Sequence, residues 1–93
     1  MKILKSGKFN TELKNILYFI AIDSKNRAKI FKNNLIQSIK NLIFMPYKCR
    51  KSIYFNDENI RDLIFKGYTI VYKIDTSKNI IVVLGIKKYK ESF

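Results

Sequence analysis

Apolar residues recur every three or four positions near the start of the chain, which is the spacing of an amphipathic helix. The stripe consists of Phe9, Leu13, Ile16, Leu17 and Ile20. Ser6 stands just before it, and a serine hydroxyl can accept a hydrogen bond from a free N–H group of the first helical turn. The pattern predicts a helix that begins after Ser6 and follows a short strand at Lys2–Lys5.

A second apolar stripe predicts another helix directly after the first. Its members are Ala28, Phe31, Leu35, Ile39 and Leu42. Asp23 and Ser24 lie between the stripes, where they end the first helix and can cap the second. Pro46, the only proline, closes the segment. Because the connection is so short, we expect the two helices to form an antiparallel hairpin.

After Pro46 the apolar period changes to two, which indicates strands. A basic loop is predicted first, at Tyr47–Ser52. The predicted strands are a short edge strand at Ile53–Phe55, then Ile60–Phe65, Tyr68–Ile74 and Ile80–Ile86. The last of these is nearly all β-branched residues or Leu, so we expect an internal strand that is buried on both faces.

Turn residues separate the three longer strands. They lie at Asn56–Asn59, Lys66–Gly67 and Asp75–Asn79. Gly67 is suited to a tight hairpin because it adopts a positive φ without steric cost. The element order is therefore β-α-α-β-β-β. It predicts an α+β fold, one domain over residues 1–93, with the helical hairpin packed on one face of a small, mostly antiparallel sheet that the first strand also joins.

The charge balance of the chain indicates what kind of partner the protein binds. Lys and Arg total 19 against 7 acidic residues, a net charge of +12. Such an excess opposes compaction through self-repulsion and favours a polyanionic partner. The alternative is a solvated lysine-rich surface that binds nothing.

The sequence also predicts where the protein acts. Cys49 is the only cysteine, so no internal disulfide can form. Met1–Lys8 is too polar and short for a cleavable leader, and Ile16–Ile22 is too short for a membrane span. We expect a soluble cytoplasmic protein with no membrane partner.

The side chains that could act in catalysis or binding are restricted to the cationic groups of Lys and Arg and the phenol of Tyr. The chain has no His, and its single Cys and scattered glycines argue against a metal site, a cofactor or a phosphate-binding loop. Asp57 and Glu58 are adjacent but fit a turn better than a catalytic dyad. The residues predicted to contact a target or nucleic acid are Lys48, Arg50, Lys51, Arg61, Lys87, Lys88 and Tyr89.

Each of these candidates also has a plain structural interpretation. Lysines on loops are usually just solvated, and Tyr72, on an apolar strand face, is more simply a core residue. Arg61 is harder to dismiss, because arginine is rare in this chain and is preferred where a planar, partly buried contact is made.

The run Asn59–Ile74 resembles the central signature of RelE/ParE-type toxins. In that family an Ile-Arg strand is followed by a Gly-Tyr turn and a strand ending in Tyr, matched here by Ile60–Arg61, Gly67–Tyr68 and Tyr72. An apolar strand and a basic tail follow, and the second helix often ends near a Pro, as here. The resemblance implies the toxin component of a type II toxin–antitoxin system, with an acidic cognate antitoxin as partner.

The resemblance leaves the target open. RelE-like members cut mRNA on the ribosome and usually carry an Arg directly after the Gly-Tyr pair, where this chain has Thr69; ParE-like members inhibit DNA gyrase and are not nucleases. The phrase Ile60–Leu63 looks more ParE-like, so we expect a gyrase inhibitor that is not an enzyme. The first alternative is a RelE-like, ribosome-dependent mRNA endonuclease using Arg61, Lys88 and Tyr89. The second is a non-toxic basic binding module.

Overall fold

The computed structural model describes residues 1–88, which form two helices and a five-stranded sheet. The helices are α1 (Gly7–Asp23) and α2 (Lys25–Lys40), followed by a 3₁₀ turn (Asn41–Ile43). The strands are β1 (Lys2–Lys5), β2 (Arg50–Lys51), β3 (Ile60–Phe65), β4 (Tyr68–Asp75) and β5 (Ile80–Lys88). The α+β architecture predicted from the sequence is confirmed.

Both predicted helix caps are present. The Ser6 hydroxyl accepts the N–H of Phe9 at 3.0 Å, and the Ser24 hydroxyl accepts the N–H of Arg27 at 3.2 Å. Each bond satisfies a donor that the first helical turn leaves free. Ser24 alone separates α1 from α2, so the hairpin is as tight as the sequence predicted.

The strand order in the sheet is β1-β5-β4-β3-β2. β1 pairs parallel with β5, and the other neighbours are antiparallel. β3 and β4 join through a two-residue turn in which Lys66 (φ 47°) and Gly67 (φ 81°) both have positive φ. This turn geometry matches the twist of the two strands, and the chain therefore reverses without a longer loop.

The core lies between the helical hairpin and one face of the sheet. Its buried members are Phe9, Leu13, Phe31, Leu35, Ile39, Leu42, Ile70, Tyr72, Ile74, Ile81, Val83 and Ile86. Phe31 of α2 makes edge-to-face contacts with Phe65 and Tyr68, at centroid distances of 5.3 and 5.5 Å. These ring contacts hold α2 against the β3–β4 hairpin, because aromatic pairs of this geometry add to the free energy that is gained by burying apolar surface.

The short edge strand predicted at Ile53–Phe55 is wrong. The edge strand is instead β2, which lies inside the predicted basic loop and pairs Arg50 with Asp62 and Lys51 with Arg61. After Ser52 the chain leaves the ladder, since the N–H of Ile53 donates to the Asp62 carboxylate instead of to a strand carbonyl. A side-chain acceptor thus ends the strand, which periodicity cannot show.

The prediction that the last strand is buried on both faces is wrong for alternate residues. Ile81, Val83 and Ile86 are buried, whereas Ile80 and Val82 are only partly covered. The strand is internal to the sheet, but the helical hairpin covers only one of its faces.

Candidate functional site

The predicted contact residues fall into two separate groups. Lys48, Arg50, Lys51 and Arg61 form a loop group around β2 and the start of β3, whereas Lys87 and Lys88 form a strand-end group at the end of β5. Tyr89 lies outside the described residues, so its role stays a prediction.

Strand register measures the separation of the two groups. Arg61 pairs with Tyr72 and Lys88 pairs with Tyr68, four residues apart on β4. This is about 13 Å along the strand, at about 3.3 Å per residue, with two strand spacings across the sheet in addition. Arg61 and Lys88 therefore do not converge on one site.

Arg61 is committed to contacts within the protein. Its Nε donates to the Glu58 carbonyl at 2.9 Å and its Nη1 donates to the Cys49 carbonyl at 3.2 Å. Nη2 lies 3.6 Å from the Glu58 carboxylate, and the guanidinium lies over the Tyr47 ring, 5.1 Å from its centroid. Only 16% of the side chain is exposed. The planar fork of arginine thus joins both ends of the segment between the 3₁₀ turn and β3.

Asp62 is the buried acid of the loop group. Its Oδ2 accepts the N–H of Ile53 at 3.1 Å and pairs with Arg50 Nη2 at 3.3 Å. Oδ1 has no hydrogen-bond partner among residues 1–88. A buried carboxylate is costly unless it is paired, so the Arg50 contact offsets part of the cost of placing Asp62 here.

Tyr72 is a core residue, as the alternation of its strand predicted. Its hydroxyl donates to the Pro46 carbonyl at 2.5 Å, and the residue is fully buried. Burial, and then the neighbouring Cys49 thiol, raise the pKa of the Tyr72 hydroxyl well above its usual range. The phenol therefore stays protonated at neutral pH and is not available as a base.

Residues of α1 contact both members of the strand-end group, and an acid of α1 neutralises one of them, Lys87. Lys87 forms an ion pair with Glu12, and both side chains are about four-fifths buried, with 20% and 18% exposed. The other oxygen of Glu12 accepts the backbone N–H of Ile86 at 3.2 Å, beyond the end of β1. Lys88 lies over the ring of Phe19 at 5.5 Å. A cavity of about 280 Å³ adjoins these residues.

Sequence reasoning did not single out Glu12. A signal was present, because Glu12 stands three residues after Phe9 and four before Ile16, at the margin of the apolar stripe. An acid in that position lies against the sheet and needs a partner there. Within residues 1–88, no group of three or more acidic, His or Cys residues could hold a metal ion, and no helix is long and apolar enough to cross a membrane.

The model of one protein family matches residues 3–93, described as the ParE toxin of the type II toxin–antitoxin system parDE. The chain belongs to the ParE toxin family. This confirms the RelE/ParE resemblance and makes the protein a ParE-type toxin of a toxin–antitoxin system. No curated protein matches the sequence significantly.

Solved structures show the same fold for this ParE-family toxin. A chain of the chromosomal ParDE TA system from P. aeruginosa matches with a TM-score of 0.76 at 13% identity, covering 97% of each chain. The isolated E. coli RelE toxin matches with a TM-score of 0.62 at 14% identity, covering 98% of this toxin and 86% of RelE. The conserved hypothetical protein HP0892 from Helicobacter pylori matches with a TM-score of 0.54 at 21% identity, covering 95% and 93%.

Proposed function

We propose that this ParE-family toxin arrests growth by inhibiting DNA gyrase through protein contacts, without cutting RNA. The observation that carries the proposal is that the two cations predicted for catalysis, Arg61 and Lys88, lie far apart, and that Arg61 and Lys87, the neighbour of Lys88, are already paired within the protein. Arg61 is bonded to Glu58 and Cys49, Lys87 is bonded to Glu12, and the two groups lie at opposite ends of the β3–β4 ladder.

Cleavage of RNA through its 2′-hydroxyl needs a base, an acid and free cations that meet the charged phosphate. Tyr72 is held protonated by burial and is bonded to Pro46. Thr69 occupies the position where RelE-type nucleases carry an Arg, and it is buried. Neither Tyr72 nor Thr69 therefore supplies nuclease chemistry.

An acidic antitoxin fits the outer surface of the helical hairpin. Large apolar side chains are exposed there; they are Tyr18, Phe19, Ile22 and Ile30, called here the hairpin surface. A cavity of about 400 Å³ is lined by Phe19 and Ile22 of this surface and is bordered by Arg27 and Asp23. An amphipathic acidic segment would cover the apolar residues and mask part of the +12 charge. We place both the toxin and this complex in the cytoplasm.

A supercoiling assay tests the gyrase proposal. Purified toxin is titrated into gyrase with relaxed plasmid, and the expected result is loss of supercoiling that added antitoxin reverses. Normal supercoiling at saturating toxin would overturn the proposal. Primer extension on mRNA from cells expressing the toxin is run in parallel, because cuts in the ribosomal A site would establish the endonuclease instead.

A further inference from the structure

Four large apolar side chains are exposed together just after α2. They are Ile43, Phe44, Met45 and Tyr47, called here the apolar tip. Phe44 is the most exposed at 81%, and Met45 is 61% exposed. Single exposed apolar residues are ordinary, but several in succession are typical of a surface that a partner covers.

The backbone that carries the apolar tip is held from the sheet. The Pro46 carbonyl accepts the buried Tyr72 hydroxyl, and the Cys49 carbonyl accepts Arg61. The Tyr47 hydroxyl donates to Asn59 at 2.6 Å. The tip is therefore arranged before a partner arrives, which lowers the ordering cost of binding.

The sequence around the tip is basic, although Arg50 is paired with Asp62 and Lys51 with Glu58. Residues 40–51 contain four basic residues and no acidic residue. Lys48 lines a cavity of about 390 Å³ together with Phe44 and Met45. Among residues 1–88, no carboxylate lies within ion-pair distance of Lys48. An acidic partner surface complements this border.

We infer that the apolar tip is the docking surface for an acidic face of the toxin's protein target, with Phe44 as the anchor and Lys48 as its charged neighbour. The inference rests on the proposed function, in which that target is gyrase. Aromatic and Met side chains at the centre of a polar rim are typical of residues that dominate a protein interface.

A protein fits this surface better than single-stranded nucleic acid does. Bases bind by stacking on open aromatic faces. One face of Tyr47 is already covered by Arg61, and Ile43 and Met45 have no ring. Two of the four tip residues thus cannot stack on a base and Tyr47 has only one face left for it, whereas all four suit an apolar pocket.

The tip is also separate from the hairpin surface. Tyr18, Phe19 and Ile22 lie in the last two turns of α1 and Ile30 lies in the first half of α2, whereas the tip follows the end of α2 at Lys40, about 15 Å beyond Ile30 at 1.5 Å per residue. A variant of the tip therefore tests target docking without altering the residues proposed to bind antitoxin.

The test uses Phe44→Ser and Lys48→Glu, with Ile64→Thr as the control. Ile64 is a half-exposed apolar residue of β3 that has no part in the tip. Each full-length chain is expressed without antitoxin, and growth arrest and gyrase inhibition are titrated. Both tip variants should need at least about tenfold more toxin for either effect, while the control matches wild type. Circular dichroism establishes that each variant is folded, and Lys48→Glu retains the test if Phe44→Ser does not fold.

The outcomes distinguish failure of the gyrase proposal from failure of the inference that the apolar tip is the docking surface. If wild type arrests growth but leaves gyrase active, the gyrase proposal fails, and the tip is judged by growth arrest alone. If folded tip variants arrest growth as wild type does, the inference is overturned. It is also overturned if wild type is harmless, or if the tip variants lose binding to a single-stranded RNA probe in proportion to their loss of toxicity.

Discussion

Glu12 of α1 and Lys87 of β5 form a largely buried ion pair, and the same carboxylate accepts the backbone N–H of Ile86. β1 pairs with β5 only as far as Val83, so within residues 1–88 the end of β5 has no strand neighbour on that side. Glu12 takes the place of the missing strand at one backbone position. α1 is thereby fastened to the sheet by polar contacts as well as by its apolar stripe.

Glu12→Ala should lower the free energy of unfolding by about 2 kcal/mol, because it leaves a largely buried Lys87 and a backbone donor without partners. Urea denaturation measures the loss. Asp23→Ala is the matched control, since the Asp23–Arg27 pair is exposed and should contribute less than about 1 kcal/mol. Equal losses in the two variants would contradict the structural role of Glu12.

Arg61→Lys should be almost as damaging as Arg61→Ala, although it keeps the charge. A lysine cannot reach the Cys49 carbonyl, the Glu58 carbonyl and the Tyr47 ring at once. We expect faster hydrogen exchange across residues 47–59 in both variants.

Arg50→Lys provides the comparison for Arg61. Arg50 makes a single, half-exposed contact with Asp62, which an ammonium group can replace. The Arg50→Lys variant should therefore exchange the amide hydrogens of residues 47–59 at rates close to those of the wild type. If Arg61→Lys also keeps residues 47–59 protected from hydrogen exchange, Arg61 does not hold this segment. Direct contact with the target would then be the simpler explanation for Arg61.

Tyr72→Phe should cost about 1 to 2 kcal/mol at neutral pH, because the Pro46 carbonyl loses its buried donor. Thermal or urea unfolding at pH 7 measures this loss. Tyr68→Phe is the control, since Tyr68 is only partly buried. An unchanged stability for Tyr72→Phe would show that the carbonyl finds another donor.

The raised pKa of Tyr72 also predicts alkaline sensitivity. The unfolded chain loses this proton near pH 10 and the native chain keeps it, so the contribution is intact below pH 10 and falls as pH rises above it. The stability difference between wild type and Tyr72→Phe should therefore shrink above pH 10. The comparison cancels the loss of lysine charge, which acts on both proteins. A constant difference up to pH 11 would contradict the prediction.

Salt should affect free and antitoxin-bound toxin differently. The +12 charge repels itself in the free chain, and screening at about 0.5 M salt should raise its melting temperature relative to about 0.05 M. The complex should respond less because an acidic antitoxin masks part of the charge. Differential scanning fluorimetry compares the two forms, and the same response in both would count against masking.

The sequence by itself determined the local elements. Ser6 and Ser24 cap the two helices, Lys66 and Gly67 make the hairpin turn, and β3 has its predicted bounds. These features depend on neighbours a few residues away, so periodicity and cap chemistry are sufficient to find them. The signature around Arg61 and Gly67 also identified the family.

Only the tertiary structure decided which of the candidate cations are free. Arg61 reaches Cys49 across 12 residues, and Glu12 reaches Ile86 across 74. The tertiary structure also ended the edge strand after Lys51, because the carboxylate of Asp62 accepts the N–H of Ile53. Such contacts depend on strand register and on how the helices dock, and a slip of one residue would turn Arg61 to the other face of the sheet. The periodicity of a single chain does not contain that register, because it is set when distant segments pack together.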